Sequence, residues 1–500
     1  MSNNTYDMLP NITVNLSQVR SNEANLQVPF NAIVFCKCET GPIGEITPVY
    51  SYNEAVSKFG LGTARTPVLY GVEQVLRSYG FLNIVRLAAT DAEFGTMEIN
   101  LAQSDGTPYE PAIKVLSART DYKTDLFNGD EIKLHYDSAR TRMSIKGTLN
   151  GVSYSTPLEI IDLSTATADV VEASLTRLVN IWNELGTGVT LTNEYTNKTD
   201  DDQSIKADDI IVGTMQLGNS GNTTPIENED VIELFKLIED PKFTKQDVVV
   251  CPEFRNYEVV NAGIALKNKY FYVCCADGTT VENKTDNISQ YTISDQGVCY
   301  TPSKCIMADP DITVPFECAV LYAWANSYSD SRYKAPAGTN RAVLEIVTDL
   351  VDNLSDEDAE ILYNNTIPCN PVKYISGYGF TLYGQKTMDS SQEFTNRINV
   401  SGLVNYITIE GKNLLNPYIF EYTPIGTFQK VSMDLSKLLD TLVTQDVIYN
   451  DYKVICDSSN NTDETLFKHE LHVAVAIRPI NVTEYIILDL TVTDQLGGAE

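Results

Sequence analysis

Three histidines, ten cysteines and a large excess of carboxylates are the residue types that could do chemistry here, and their spacing argues against most of it. His469 and His472 form HELH, which lacks the HExxH spacing of a zinc-binding helix. The run that follows alternates, with Leu471, Val473, Val475 and Ile477 on one face, and so reads as a strand. An odd spacing on a strand sends two side chains to opposite faces, so the two histidines cannot share one ion. His135 is the third, which leaves a Ser-His-Asp or Cys-His mechanism almost without candidates. The cysteines stand at 36, 38, 251, 274, 275, 299, 305, 318, 369 and 456, and none falls into paired CxxC knuckles. Cys36 and Cys38, in VFCKC, share one face of a strand, whereas the adjacent Cys274 and Cys275 point to opposite faces. Two readings of the thiols are open: small buried hydrophobes, or groups that pair once the protein leaves a reducing cell.

Other motifs fail in the same way. Asp200-Asp201-Asp202 lacks the DxDxDG spacing of a calcium loop and reads as a solvated turn. No GxxxxGK[ST] phosphate loop and no GxSxG elbow occurs, and Gly60-Leu61-Gly62 loses the third glycine of a dinucleotide fingerprint. Carboxylates abound, but no spacing singles out a pair. The residues point to no catalytic site, no metal and no cofactor, and to a protein that is not an enzyme.

Composition narrows the class further. The chain has 500 residues, a formal charge of −31, 43% hydrophobic residues and 21% charged ones. That is an ordered globular composition, long enough to bury large cores without a disulfide or metal staple. A surface this acidic repels nucleic acid and anionic membranes, and no apolar run approaches the ~20 residues of a membrane span. Met1 to Pro10 lack the basic and apolar segments of a signal peptide, so the expectation is a soluble protein made in the cytoplasm without a secretion tag.

The elements follow from periodicity and caps. A lone alternating strand at Ile12, Val14 and Leu16 reads as an arm, since one strand needs a partner sheet. Strand, helix (53–59), a Thr66-Pro67 helix start and a strand at 81–88 then argue for an α/β layer. From about Asp91 short alternating strands appear with one helix at 170–185, and residues 91–210 hold 21 acidic and 10 basic residues. This segment reads as a solvent-facing inserted domain. The α/β pattern resumes near Glu227, with helices at 230–238, 257–266 and 316–325 and strands at 247–250 and 270–275. Helices are expected at 341–353 and at 356–363, the second capped by Ser355, then from Asn399 and over 433–443. Ile486, Leu488, Leu490 and Val492 form a last alternating strand. Residues 370–440 carry 6 basic and 6 acidic residues, a neutral block that fits either an interface free of repulsion or a simply well-packed core.

Several segments, in order, resemble the tail sheath proteins of contractile bacteriophages and related contractile injection systems. ITVPFECAVLYAWANSYSDSRYKAPAG looks like the family's helix followed by KAPAG. Tyr383-Gly384-Gln385-Lys386-Thr387 stands where the family has Trp-Gly-x-Arg-Thr, with Tyr and Lys replacing Trp and Arg. Phe394 to Val400 matches its aromatic and INV stretch, and Val454, Cys456, Asp457, Asn460 and Asn461 match its V-x-C-D, NN block. The resemblance spans about residues 25–90 and 230–495; residues 91–210 match nothing, as the family's variable outward insertion would.

The resemblance implies a multidomain α/β (α+β) fold: a sheath core, a β-rich inserted outer domain and strand-exchanging terminal arms. The expected division is 1–22 as N-terminal arm, 23–90 with 345–482 as inner core, 91–210 as insertion, 211–344 as middle domain and 483–500 as C-terminal arm. The arms' strands, Ile12, Val14 and Leu16 at one end and Ile486, Leu488, Leu490 and Val492 at the other, would add to a neighbour's sheet, with Leu471, Val473, Val475 and Ile477 as the acceptor strand. Expected partners are further copies in six-fold rings stacked helically, a tail tube protein, and baseplate, terminator and neck proteins. The expected location is the virion after assembly in the host cytoplasm, and Cys36, Cys38, Cys369 and Cys456 are the candidates for disulfides between subunits. Two other classes compete: an acidic surface-layer or adhesin subunit, which predicts a signal peptide and repeats, and a carboxylate-based multidomain enzyme, which predicts a convergent cleft.

Overall fold

The computed structural model describes residues 30–484, apart from 104–106, 110–111, 138–140, 164, 197–204, 206–209, 241–245, 267–269, 392–393 and 423. Both expected arm strands and Asp200-Asp201-Asp202 lie outside the described residues. The chain divides into two compact units at Ser401 and Gly402.

The first unit is built on a seven-stranded sheet. Its order is Cys369–Asn370, Gly297–Tyr300, Phe271–Cys275, Val248–Val250, Ala32–Lys37, Leu82–Leu87 and Ile46–Val49, parallel throughout except for the last pair. Parallel sheets are covered on both faces, so their strands read as continuous apolar runs. Ala32, Val34 and Cys36 face a core shared with Val68, Leu69 and Val72 of the helix Pro67–Tyr79 and with Trp324 of Glu317–Asp330. Ile33 and Phe35 face the opposite core with Val231 and Phe235 of Asn228–Phe235 and Val259 of Tyr257–Ala265. Burial of each such side chain is worth ~1.5–3 kcal/mol. Local signals set the helix limits. Ser51 Oγ accepts from Glu54 N to start Tyr52–Phe59, and Gly80, in the left-handed region, donates to Leu76 O to end Pro67–Tyr79.

Residues 23–90 share their sheet with strands from 211–344 and with the edge strand Cys369–Asn370. The crossovers of a parallel sheet decide that grouping, and periodicity does not carry it. One expectation is corrected here: residues 341–353 are not a helix. They form turns and the two-residue strand Asp349–Leu350, because their backbone bonds go to distant partners: Leu344 N to Phe380 O, Thr348 N to Ile306 O and Val351 N to Lys304 O. Val343, Ile346, Val347 and Thr348 are β-branched and suit that extended pairing.

Between the strands Leu82–Leu87 and Val248–Val250 the chain forms an eight-stranded antiparallel sheet with its own core. Its order is Val189–Asn193, Lys114–Lys123, Phe94–Ala102, Ile210–Thr214, Glu131–Tyr136, Arg142–Leu149 and Val152–Ser155, with Glu159–Ile160 also paired to Arg142–Leu149. The helix Ala168–Glu184 lays Leu175, Leu178 and the fully buried Trp182 on one face. Gly147 makes room for it, since a Cβ there would stand 2.9 Å from the Trp182 ring.

The second unit is smaller. It begins within the helix Ile398–Leu415, continues through Ile425–Thr444 and Asp463–Phe467, and holds one two-stranded sheet, Lys453–Ile455 with Ala474–Ala476. Phe428, Val431, Leu435 and Cys456 form its small core.

Candidate assembly surface

The residues that stood out in the sequence turn out to be hydrogen-bonding clips that hold strand edges. Asn460 Nδ2 donates to Ile455 O at 2.8 Å and His472 O at 3.0 Å. Asn461 Nδ2 donates to His472 O at 2.9 Å, and its Oδ1 accepts from His472 N at 2.6 Å. Asp457 accepts from Ser459 Oγ and Ser459 N, which hold its carboxyl below the usual carboxylate range. The Asn pair thus ties the end of Lys453–Ile455 to the approach of Ala474–Ala476. Tyr449 N to Arg478 O and Ile480 N to Val447 O extend the pairing beyond the strands.

This sheet is thin. Lys453, Val454 and Ile455 pair with Ala476, Val475 and Ala474, and among the described residues no further strand joins either edge. A two-stranded sheet is marginal in water on its own. Of the expected acceptor residues, Leu471 and Val473 are half-buried against the Phe428 core, Val475 is 39% exposed, and Ile477 is half-buried. The strand is therefore shorter than the alternation suggested, because its first half turns inward to the helices. Glu470 pairs with His472 at 2.9 Å, and His469 sits in the left-handed region just before it.

The second unit also exposes more apolar surface than its core accounts for. Among its described residues eight hydrophobics are buried and nine large hydrophobics are exposed, the latter including Phe420 at 104%, Tyr422 at 92% and Phe467 at 86%. Asp434 accepts from Tyr418 OH at 2.7 Å and from Lys437, which together keep its carboxyl low.

Two clips lie in the first unit. Lys386, two residues after Gly384 in the motif, donates to Tyr363 O at 2.8 Å and lies 3.8 Å over the Tyr363 ring. Asn370 donates to Cys299 O and Lys386 O and accepts from Lys386 N, locking the edge strand. Gly384 is required at this spot, because a Cβ would meet Asn370 Oδ1 and Pro371 Cδ at 2.8 Å. The other clip is at the root of residues 1–29. Asp247 accepts from Asn31 N at 2.9 Å and pairs with Arg332 of SRYKAPAG at 3.1 Å, while Phe30 packs edge-on against Tyr328. Burial raises the Asp247 carboxyl to about 6 against the pull of Arg332 and Asn31 N.

Two further sets of residues escaped the sequence reading. Arg86, fully buried, donates to Gly41 O, Lys123 O and Ser220 O at 2.7–2.9 Å and so joins the parallel sheet to the antiparallel one. Its signal was an arginine inside the apolar strand FLNIVRLA. At the carboxyl ends of the parallel strands, where α/β folds bind ligands, Arg255 grips Glu317 through two bonds of 2.8 and 2.6 Å. Lys284 pairs there with Asp352, and Ser303 N also donates to Asp352. These acids and bases are spent on one another.

The disulfide candidates lie inside. Cys36 and Cys38 are fully buried with their sulfurs 3.6 Å apart, Cys369 faces Cys299, and Cys456 is in the second unit's core. All ten cysteines are buried, so the expected bridges to a neighbouring subunit have no exposed thiol to start from.

No family model matches the chain. Over 254 residues, half of this chain and 37% of the relative, it is 26% identical to the tail sheath protein of Vibrio phage KVP40. The chain thus spans little more than a third of that protein's length. Its fold is that of a sheath tail protein from Desulfitobacterium hafniense, with a TM-score of 0.57, 9% identity and 91% of this chain and 97% of that one covered. The helical sheath of the anti-feeding prophage in its contracted state is similar at a TM-score of 0.56, with 14% identity and 93% of each chain covered. The chain is therefore a homologue of phage tail sheath proteins and has the mixed α/β fold of contractile sheaths.

Proposed function

We propose that this chain is the structural subunit of a contractile tail sheath in the virion, assembled in the host cytoplasm and without enzymatic activity. Copies polymerise as six-fold rings stacked around a tail tube, between a baseplate and terminator or neck proteins. Contraction then drives the tube through the host envelope.

The observation that carries this reading is the thin sheet of the second unit, an unfinished element beside exposed apolar side chains. The arm strands Ile12, Val14 and Leu16, and Ile486, Leu488, Leu490 and Val492, would complete it in neighbouring copies by strand addition. Each buried side chain of the C-terminal strand is worth up to ~1.5–3 kcal/mol, less the entropy of ordering the arm. Such main-chain links survive a large change of lattice because they move with the subunits they join. The drive for contraction is the set of new subunit contacts in the shorter, wider lattice, with no nucleotide involved.

The test is electron microscopy of the concentrated protein beside a variant lacking residues 486–500. The full chain should give hollow tubes with six-fold end views, and the truncated chain should keep its circular dichroism and melting behaviour but stay dispersed. Tubes of normal appearance from the truncated chain would refute the strand-exchange mechanism.

A further inference from the structure

Four cysteines lie on neighbouring parallel strands at one level of the sheet. Cys274 pairs in register with Cys299, and Cys299 with Cys369. Cys251 follows Val250, whose partner Val273 precedes Cys274. All four belong to the same core. Within this row one pair is poised: the Cys369 and Cys299 sulfurs are 3.1 Å apart. Adjacent strands run ~4.8 Å apart, inside the Cα window of a disulfide. The Asn370 clip to Cys299 O and Lys386 holds the edge strand in that register without help from the sulfurs.

We propose that Cys299 and Cys369 are an oxidation site, closing to an intrachain disulfide when the folded chain meets hydrogen peroxide. Cys299 is the middle sulfur of the row and accepts from Cys369 Sγ, which gives it the nucleophile's place. Burial pushes its thiol up, but hydrogen bonds from Cys274 and Cys369, with the charges of Lys284 and Arg255, outweigh it and hold Cys299 well below the usual thiol range. The Cys299 thiolate attacks one peroxide oxygen and breaks the O–O bond. This gives a sulfenic acid and a hydroxide that leaves as water after taking a proton. The Cys369 sulfur then attacks the Cys299 sulfur, the S–O bond breaks, and a second water leaves with the Cys369 proton. Two thiols are oxidised by two electrons, and one peroxide is reduced to two waters. Neither sulfur is exposed, which excludes bulky disulfide reagents and favours an oxidant of about the size of water. A cleft of about 200 Å³, lined by Pro368, Lys386 and Asn396, opens at the residue before Cys369.

The bond would staple the two-residue edge strand to its neighbour and close a long loop that includes the helix Glu317–Asp330 and SRYKAPAG. It rests on this chain alone and is independent of the sheath reading.

The experiment treats the reduced, full-length protein with excess hydrogen peroxide under native conditions, alkylates the remaining thiols and maps peptides by mass spectrometry. The expected product has lost two hydrogens, carries one cross-link joining Cys299 to Cys369, and melts about 5–10 °C higher than the reduced chain. Sulfinic acid at Cys299 without a cross-link, a Cys274–Cys299 cross-link, or ten thiols still free would each overturn the assignment. The Cys369→Ser variant adds a second readout: with no resolving thiol, Cys299 should advance to the sulfinic acid, and formation of a disulfide there would count against the pair.

Discussion

Arg86 and Asp247 show how single charged residues fasten this fold. Among the described residues no carboxylate pairs with Arg86; three carbonyls from three different segments accept from its two terminal nitrogens, its buried Nε has no partner, and burial depresses its pKa. Arg86→Met would keep the volume but leave three buried acceptors unpaired. The expected loss is about 3–5 kcal/mol, read from the urea midpoint. An unchanged midpoint would mean that water replaces the guanidinium at no cost. Asp247 works through protonation. Its folded-state pKa of about 6 lies above the unfolded carboxyl value, so the folded chain binds this proton more tightly. The stability it contributes is complete below about pH 4 and is lost as the pH rises through about 6, on the order of 3 kcal/mol in all. Asp247→Asn should remove that slope. Between pH 4.5 and pH 7 the unfolding free energy of the parent should fall by about 2 kcal/mol more than that of the variant, and parallel pH profiles would sink the idea. Neither residue was legible beforehand. An arginine in an apolar strand and an aspartate before one are visible as oddities, but their partners lie at positions 41, 123 and 220, and at 31 and 332, which no local pattern links.

Elements with local punctuation were legible, and those defined by remote partners were not. Thr66-Pro67 and Ser355 placed two helix starts to the residue. By contrast, 341–353 has the apolar spacing of a helix yet spends its backbone groups on Ile306, Lys304 and Phe380. The same limit shortened the acceptor strand, since Leu471 and Val473 belong to the core beside Phe428 while Val475 belongs to the strand. The NN block was recognisable by resemblance, but only geometry gives its role: Asn461 replaces a strand partner for both the N–H and the C=O of His472. Asn461→Ala should therefore destabilise the second unit by about 1–2 kcal/mol and speed amide exchange in Ala474–Ala476 first. Uniform exchange rates across the unit, with no local excess at those residues, would show that the clip does not hold the sheet.

At the scale of the whole molecule, the proposed assembly would bring together chains that each carry −31. Like-charged copies repel over the Debye length, about 10 Å at 0.1 M salt, and that repulsion weakens as salt is added. The exposed aromatic and aliphatic side chains of the second unit act the other way: apolar burial is not screened, and excluded salts strengthen it. Residues 370–440, with equal numbers of acidic and basic groups, take in the clip at Lys386, the loop carrying Phe420 and Tyr422 and most of the helix Ile425–Thr444. The charge excess therefore lies mainly elsewhere, in segments such as 91–210 with 21 acidic and 10 basic residues. Added salt therefore moves both terms toward assembly. Raising sodium chloride from about 0.05 to 0.5 M relieves repulsion and leaves apolar contact intact, so polymerisation should begin at a concentration several-fold lower. Sedimentation of the purified chain across that range measures the onset directly. Polymers that dissolve as salt rises would instead place cross-subunit ion pairs at the centre of the contact, and would move the interface away from the apolar face of the second unit.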